Sequence, residues 1–172
     1  MKPVRMRSEL KEEAVDRGVD NEKVMSDHDI LSDAEREAIN AVMQEPELPP
    51  LKALIVEDDK DSRELLAEIL ELKGVRCLKA RGAAEAFELV KQDKSIGLVI
   101  TDLRMGPVDG LELIRNIRES ERSALPIVII SGDAVVKDVI EAMHLSVVDF
   151  LLKPIDPEQL AQLARRELGI NR

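Results

Sequence analysis

The sequence predicts an α/β fold in which a parallel five-stranded sheet is covered by helices on both faces. From residue 52 onward, five short apolar runs alternate with five segments of helical pattern. The runs are almost continuously apolar, which is typical of strands buried on both faces of a parallel sheet. Polar side chains directly follow four of these runs, at the sheet edge where open α/β folds bind ligands.

The alternation assigns each element in order. The predicted strands cover residues 52–56, 75–79, 97–101, 126–130 and 147–152. The predicted helices cover residues 60–73, 82–93, 109–120, 134–145 and 156–168. Gly74 ends the first of these helices, because glycine readily adopts the left-handed conformation that closes many helices. Asp156 is expected to cap the last helix, and Pro157 suits its first turn.

The chain divides by composition near residue 50. The first fifty residues hold 7 Lys and Arg against 13 Asp and Glu, which gives −6 of the net charge of −10. A Pro-rich stretch follows, and such stretches are extended and fairly stiff. We predict an acidic, partly helical extension over residues 1–44, a linker over 45–51 and the α/β domain over 52–172.

Two helices are expected in the extension. Ser8 caps the first, which runs through Arg17. Ser32 and Glu35 form a capping box for the second, from Asp33 to Met43. Helices this short need a surface to pack on. The alternative is a mostly disordered acidic tail.

Composition excludes several classes of function. A net charge of −10 and a pI of about 4.8 give a surface that repels nucleic acids and anionic membranes. Aromatic residues make up only 1% of the chain, so no stacking platform for bases is expected. The single cysteine, Cys77, fits a reducing cytoplasm. The amino terminus lacks the apolar segment of a signal peptide. We therefore expect a cytoplasmic protein that binds neither nucleic acid nor membrane directly.

The polar residues after the strands carry the predicted chemistry. Glu57 and Asp58 follow the first strand, Asp102 the third, Ser131 the fourth and Lys153 the fifth. Because the carboxyl ends of parallel strands meet at one edge, these side chains should converge. Neighbouring carboxylates are costly without a cation, and Mg²⁺ accepts one or two carboxylates together with water. The alternative for the first acidic cluster is helix capping, because acidic residues favour a helix amino terminus.

Asp102 is also a candidate nucleophile, because a carboxylate can form an acyl phosphate. A phosphoryl group there would add a charge of about −1.5 to −2, by analogy with other phosphorylated side chains. Lys153 would offset that charge, and Ser131 would donate a hydrogen bond to it.

These residues resemble a response regulator receiver domain of two-component signalling over residues 52–168. The resemblance rests on four segments in family order: 55–66 with the acidic pair, 101–114 with the acceptor, 131–132, and 150–154 with the lysine. It implies a flavodoxin-like (βα)5 fold with strand order 2-1-3-4-5 and no enzymatic turnover. Two departures are the order Gly106-Pro107, reversed from the family's usual one, and Lys60 in place of a common proline.

The resemblance also implies a Mg²⁺ site. Asp58, Asp102 and the backbone carbonyl of Arg104 would bind the ion directly, whereas Glu57 would act through a metal-bound water. Asp102 would be the phosphoacceptor.

Three further residues receive roles in the same way. Ser131 and Lys153 would grip the phosphoryl oxygens. Phe150 occupies the place of the family's switch aromatic, although an ordinary core residue is the alternative. Arg104 and Asp133 carry opposite charges near the acceptor, and we expect them to pair across the pocket mouth and slow loss of the phosphoryl group. Two solvated surface charges are the alternative.

The implied partners are a sensor histidine kinase or histidine phosphotransfer protein as donor, and an unidentified protein as target. The chain ends after the fifth predicted helix, so output by protein contact is expected, through an exposed stripe of Val135, Val139 and Met143. Gating of the extension 1–44 and a homodimer stay open. The alternatives are a fragment of a longer regulator with an output domain, and a Mg²⁺-dependent phosphatase with Asp102 as nucleophile. Arg104 disfavours the phosphatase, since such enzymes commonly need an acid at that position.

Overall fold

The computed structural model describes residues 31–43 and 49–170, and the chain divides into two units between residues 48 and 49. The described part of the first unit holds helix α1, Asp33–Met43, with the bounds that the sequence predicts. Its capping box is present: the Glu35 carboxylate accepts the Ser32 N–H at 2.8 Å, and the Ser32 hydroxyl accepts the Glu35 N–H at 3.3 Å. The predicted helix from Ser8 to Arg17 lies outside the described residues.

The second unit contains the predicted parallel sheet. Its strands all run parallel in the order β2-β1-β3-β4-β5, which confirms the predicted topology. The strands are β1 (Lys52–Val56), β2 (Cys77–Ala80), β3 (Ile96–Asp102), β4 (Ile127–Ser131) and β5 (Asp149–Leu152).

A helix follows each strand, and each lies close to its predicted position. These helices are α2 (Lys60–Leu72), α3 (Ala83–Gln92), α4 (Gly110–Arg118), α5 (Val136–His144) and α6 (Pro157–Glu167). Helix α5 begins two residues later than predicted, because its N-cap residue Val135 has extended backbone. Strand β5 is shorter than predicted, and Val148 leads into it by donating its N–H to the Ile127 carbonyl at 2.7 Å. None of the helices in the described residues is long and apolar enough to cross a bilayer.

Two aliphatic cores cover the two faces of the sheet. Alternate residues of the strands point to opposite faces, so Leu54 and Val99 belong to one core, whereas Ile55 and Ile100 belong to the other. The first core is closed by α3, α4 and α5, and the second by α2 and α6. The 1% aromatic content of the chain accounts for this aliphatic character. With both faces buried, only the ends of the strands can present polar side chains to a ligand.

The end of β3 is packed against the start of α4. A side-chain Cβ placed on Gly110 would lie 2.3 Å from the Asp102 carbonyl oxygen, so glycine is required at this close approach. The Gly110 N–H donates to the Leu103 carbonyl at 2.9 Å, and the Thr101 hydroxyl donates to the Asp102 carbonyl at 2.9 Å. These contacts position the backbone that carries Asp102.

We predict that Gly110→Ala lowers the free energy of unfolding by about 1–3 kcal/mol, because a buried backbone must shift to admit the methyl group. Urea unfolding of the full chain measures the change. Gly82→Ala is the matched control: Gly110 is the first residue of α4 and Gly82 is the N-cap of α3, but nothing lies within 4 Å of a Cβ added to Gly82. Equal losses in the two variants would contradict the close-approach argument.

Candidate functional site

The structure brings three of the predicted residues into direct contact. Glu57 follows β1, Asp102 ends β3, and Lys153 follows β5. The Lys153 ammonium donates to the Asp102 carboxylate at 2.8 Å and to the Glu57 carboxylate at 3.2 Å. Glu57 and Asp102 are both buried. One lysine therefore bridges two acids that lie 45 residues apart in the sequence (102 minus 57).

The backbone completes the surroundings of Asp102. The Arg104 N–H donates to the Asp102 carboxylate at 3.0 Å. Ser131, which is fully buried, ends the neighbouring strand β4, and its hydroxyl accepts the Asp133 N–H at 3.2 Å. The Ser131 carbonyl also accepts the Lys153 N–H at 2.9 Å, so the serine and the lysine are held together.

The two acids after β1 have different environments. Glu57 is buried against Lys153, whereas Asp58 is exposed and lines a cleft with Met105 and Pro107. Within residues 31–43 and 49–170, no three acidic, histidine or cysteine side chains form a group spaced to hold a metal ion. The acids predicted at the Mg²⁺ site are thus the buried pair Glu57 and Asp102 and the exposed Asp58.

Burial and mutual repulsion change the ionisation of this pair. Burial, reinforced by Asp102, raises the pKa of Glu57 to about 7. Burial also opposes ionisation of Asp102, but hydrogen bonds with Glu57 and Lys153 outweigh it and lower the pKa of Asp102. Burial disfavours the Lys153 ammonium, but the two carboxylates outweigh it and raise the pKa of Lys153. Asp102 is therefore the acid that stays ionised.

Arg63 supports the acidic pair, a role that the motif analysis does not assign. This buried side chain of α2 donates to the Glu57 carbonyl at 2.9 Å. The sequence signal is its position: it lies six residues after Glu57 on the first predicted helix, where its side chain can turn back to the strand end.

The predicted ion pair between Arg104 and Asp133 is wrong. The Arg104 guanidinium instead pairs with Asp138 at 2.9 Å. Asp138 is the third residue of α5 and is buried, so its charge needs a cation, whereas Asp133 is exposed.

The exposed stripe on α5 also differs from the prediction. Val135 and Met143 are exposed as expected, but Val139 is only half-exposed. Asp138 and Ala142 face the core, which turns a different set of apolar side chains outward. This set, which we call the α5 patch, consists of Val136, Ile140 and Met143 of α5 with its N-cap residue Val135.

Phe150 lies on β5, opposite Ile129 of β4. Its side chain is partly buried and packs against the first core. Both predicted roles, a switch and an ordinary core residue, are compatible with this position.

The fold and this pocket define the class of protein. A family model described as the response regulator receiver domain matches residues 53–165. The chain belongs to this family of two-component signalling receiver domains, as its motifs predict.

Similar proteins include both short and long chains. An uncharacterized 14.6 kDa protein from Leptolyngbya boryana is 33% identical over 69% of this chain and 91% of its own length. The two-component response regulator PprB of Pseudomonas aeruginosa is 32% identical over 69% of this chain and 44% of its own length. This chain thus spans less than half of the first curated relatives that it matches.

The solved structures agree with the fold. A response regulator receiver protein from Pseudomonas putida is 46% identical, with a TM-score of 0.67 over 69% of this chain and 98% of that one. The receiver domain of NtrX from Brucella abortus is 30% identical, with a TM-score of 0.62 over 70% of this chain and 100% of that one.

We predict that Glu57→Gln stabilises the protein above pH 7 when divalent cations are removed. A carboxyl whose pKa is raised binds its proton more tightly in the folded state, so its contribution to stability is lost as pH rises from about 4.5 to about 7. The variant has a neutral side chain at every pH, so at pH 8 its free energy of unfolding should exceed that of the wild type by about 1–3 kcal/mol.

Thermal or urea unfolding from pH 4 to pH 8 measures this difference. Glu64→Gln is the control, because Glu64 is an exposed acid paired with Lys79. If the wild type and Glu57→Gln keep a constant difference in stability across this range, the raised pKa is disproved.

Proposed function

We propose that this protein is a phosphoacceptor response regulator that receives a phosphoryl group on Asp102 and signals through protein contacts. The donor is a phosphohistidine of a sensor histidine kinase or histidine phosphotransfer protein, and the protein acts in the cytoplasm without enzymatic turnover. The observation that carries the proposal is the contact of Lys153 with both Asp102 and Glu57. It keeps one carboxylate ionised beside a cation that can neutralise a phosphoryl group.

In the transfer step, a carboxylate oxygen of Asp102 forms a bond to phosphorus while the phosphorus–nitrogen bond of the donor breaks. The electron pair of that bond returns to the imidazole nitrogen. The lowered pKa of Asp102 keeps the nucleophile ionised. Lys153 already contacts Asp102 and would follow the developing charge on the phosphoryl oxygens. Ser131, at the end of the adjacent strand, would donate its hydroxyl to one of them.

The residues present fit a Mg²⁺ ion. Mg²⁺ needs only one or two carboxylates together with water, and Lys153 is, among the described residues, the one ammonium that contacts the two acids Glu57 and Asp102. Asp58, Asp102 and the Arg104 carbonyl would hold the ion directly, with Glu57 acting through water. When bound, the ion supplies neutralisation of the phosphoryl oxygens.

The signal would be read from the surface around α5, β5 and α6. Ser131 and Phe150 would shift after phosphorylation, since Ser131 ends β4, the strand beside Asp102, and Phe150 lies on β5, the strand next to β4. The α5 patch of apolar side chains lies on this surface and suits a protein target. A change there is a population shift between two packings.

One alternative output is favoured by the relatives. Some are transcriptional regulatory proteins of which this chain covers only about a quarter, such as DctD of Pseudomonas aeruginosa at 26%. A fragment of a longer regulator with an output domain is therefore the second candidate. Recovering the full reading frame distinguishes the two.

We predict that acetyl phosphate with Mg²⁺ labels the full chain once, and that Asp102→Asn abolishes the label because the nucleophile is lost. Intact-mass spectrometry and Phos-tag gels measure the product, which should be labile to hydroxylamine as an acyl phosphate.

Asp133→Asn is the matched control, because Asp133 is an exposed acid after the neighbouring strand. It should keep the label. Labelling that persists in Asp102→Asn, or that is independent of Mg²⁺, would contradict the proposed chemistry.

A further inference from the structure

An ion pair ties the loop after the acceptor to α5. The Arg104 guanidinium donates to the Asp138 carboxylate at 2.9 Å. The Arg104 side chain is 53% exposed, whereas that of Asp138 is 12% exposed. The aspartate charge is thus largely removed from water, while its partner is half in solvent and able to move.

Each end of this pair has a second attachment. The Arg104 N–H donates to the Asp102 carboxylate at 3.0 Å. The Asp138 carboxylate also accepts the N–H of Val135, the N-cap of α5, at 3.3 Å. A short series of bonds therefore runs from the acceptor carboxylate to the first turn of α5.

We propose that the Arg104–Asp138 pair is a latch that holds the first turn of α5 until a phosphoryl group on Asp102 takes Arg104 away. This inference rests on the proposed function, since it requires Asp102 to be loaded. A phosphoryl group brings about −1.5 to −2 charge, against the single charge of Asp138. The guanidinium fork also matches phosphate oxygens better than any other side chain does.

The position of the latch explains how it would affect the output surface. Its aspartate lies within the helix that carries Val136, Ile140 and Met143, which are exposed. Release of Arg104 leaves the buried Asp138 without its cation, and such a charge is costly until the turn moves toward water. The first turn of α5 would therefore loosen, and the α5 patch would change shape.

Thermodynamic linkage predicts opposite effects on loading of Asp102 when Asp138 is replaced and when Arg104 is replaced. If loading breaks the pair, then breaking it beforehand from the Asp138 side must favour loading, because coupling is reciprocal. Removal of Arg104 also breaks the pair, but it deprives the phosphoryl group of its new partner. A merely structural ion pair would give the same result from either side.

The test measures binding of beryllofluoride with Mg²⁺ to the full 172-residue chain by calorimetry. Asp138→Asn keeps an oxygen for the Val135 N–H, and it should bind about two- to fivefold more tightly than the wild type, the range for a partly exposed ion pair. Arg104→Ala should bind more weakly than the wild type. Glu141→Gln is the control, since it breaks a pair between the same helix and Arg115 of α4, and it should leave the affinity unchanged.

Amide hydrogen exchange over residues 135–140 gives the second readout. Exchange should be faster in loaded wild type than in unloaded wild type. Unloaded Arg104→Ala should already be fast, because it leaves the buried Asp138 charge without its cation, whereas Asp138→Asn removes that charge and should stay slow. Affinity changes of the same sign in Asp138→Asn and Arg104→Ala would overturn the latch. So would binding of beryllofluoride to the wild type without any change in exchange at α5. Failure of the wild type to bind beryllofluoride would overturn the proposed function, and the latch with it.

Discussion

The bridge from Lys153 to two buried carboxylates is the interaction on which this pocket depends. Glu57 and Asp102 are both withdrawn from water, and two like charges in such a place cannot both ionise freely. Lys153 stabilises the two negative charges unequally, because its ammonium lies 2.8 Å from the Asp102 carboxylate and 3.2 Å from that of Glu57. As a result, Glu57 is the acid that gives up its proton only near pH 7, whereas the lowered pKa of Asp102 leaves it ionised.

This bridge in turn requires the strand order. The residues come from the ends of β1, β3 and β5. The order β2-β1-β3-β4-β5 sets β1 beside β3 and places β5 one strand further on, so Lys153 reaches Asp102 past the end of β4. The close packing of Gly110 on the Asp102 carbonyl then fixes the backbone of Asp102 at the end of β3. A methyl group at Gly110 would displace the carboxylate as well as the backbone. The contact between Gly110 and the Asp102 carbonyl is therefore needed both for the fold and for the pocket.

The sequence predicts the sheet, its helices and the residues at its edge, because these follow from local pattern and from the rule that parallel strands end together. It cannot predict contacts that depend on how a helix is rotated. Arg104 pairs with Asp138 and not with Asp133, because the rotation of α5 turns the buried Asp138 carboxylate toward the loop after β3. The hydrogen bond from Arg63 to the Glu57 carbonyl is missed because it depends on the rotation of α2. Val139 turns inward with the rotation of α5, and Ile140 turns outward.

The charges of the pocket explain why a signal could leave it through α5. The described surroundings of Asp102 contain two nearby cations, Lys153 and Arg104. Lys153 is shared by two acids, and Arg104 is engaged by Asp138. If a side chain is to offset a new dianion on Asp102, beyond what a bound Mg²⁺ would supply, one of these cations must leave its present partner. Withdrawal of Lys153 would unpair Glu57, whose raised pKa lets it take up a proton in compensation. Withdrawal of Arg104 would instead leave Asp138 of α5 unpaired. The electrostatic cost of phosphorylating Asp102 would then be relieved by motion of α5.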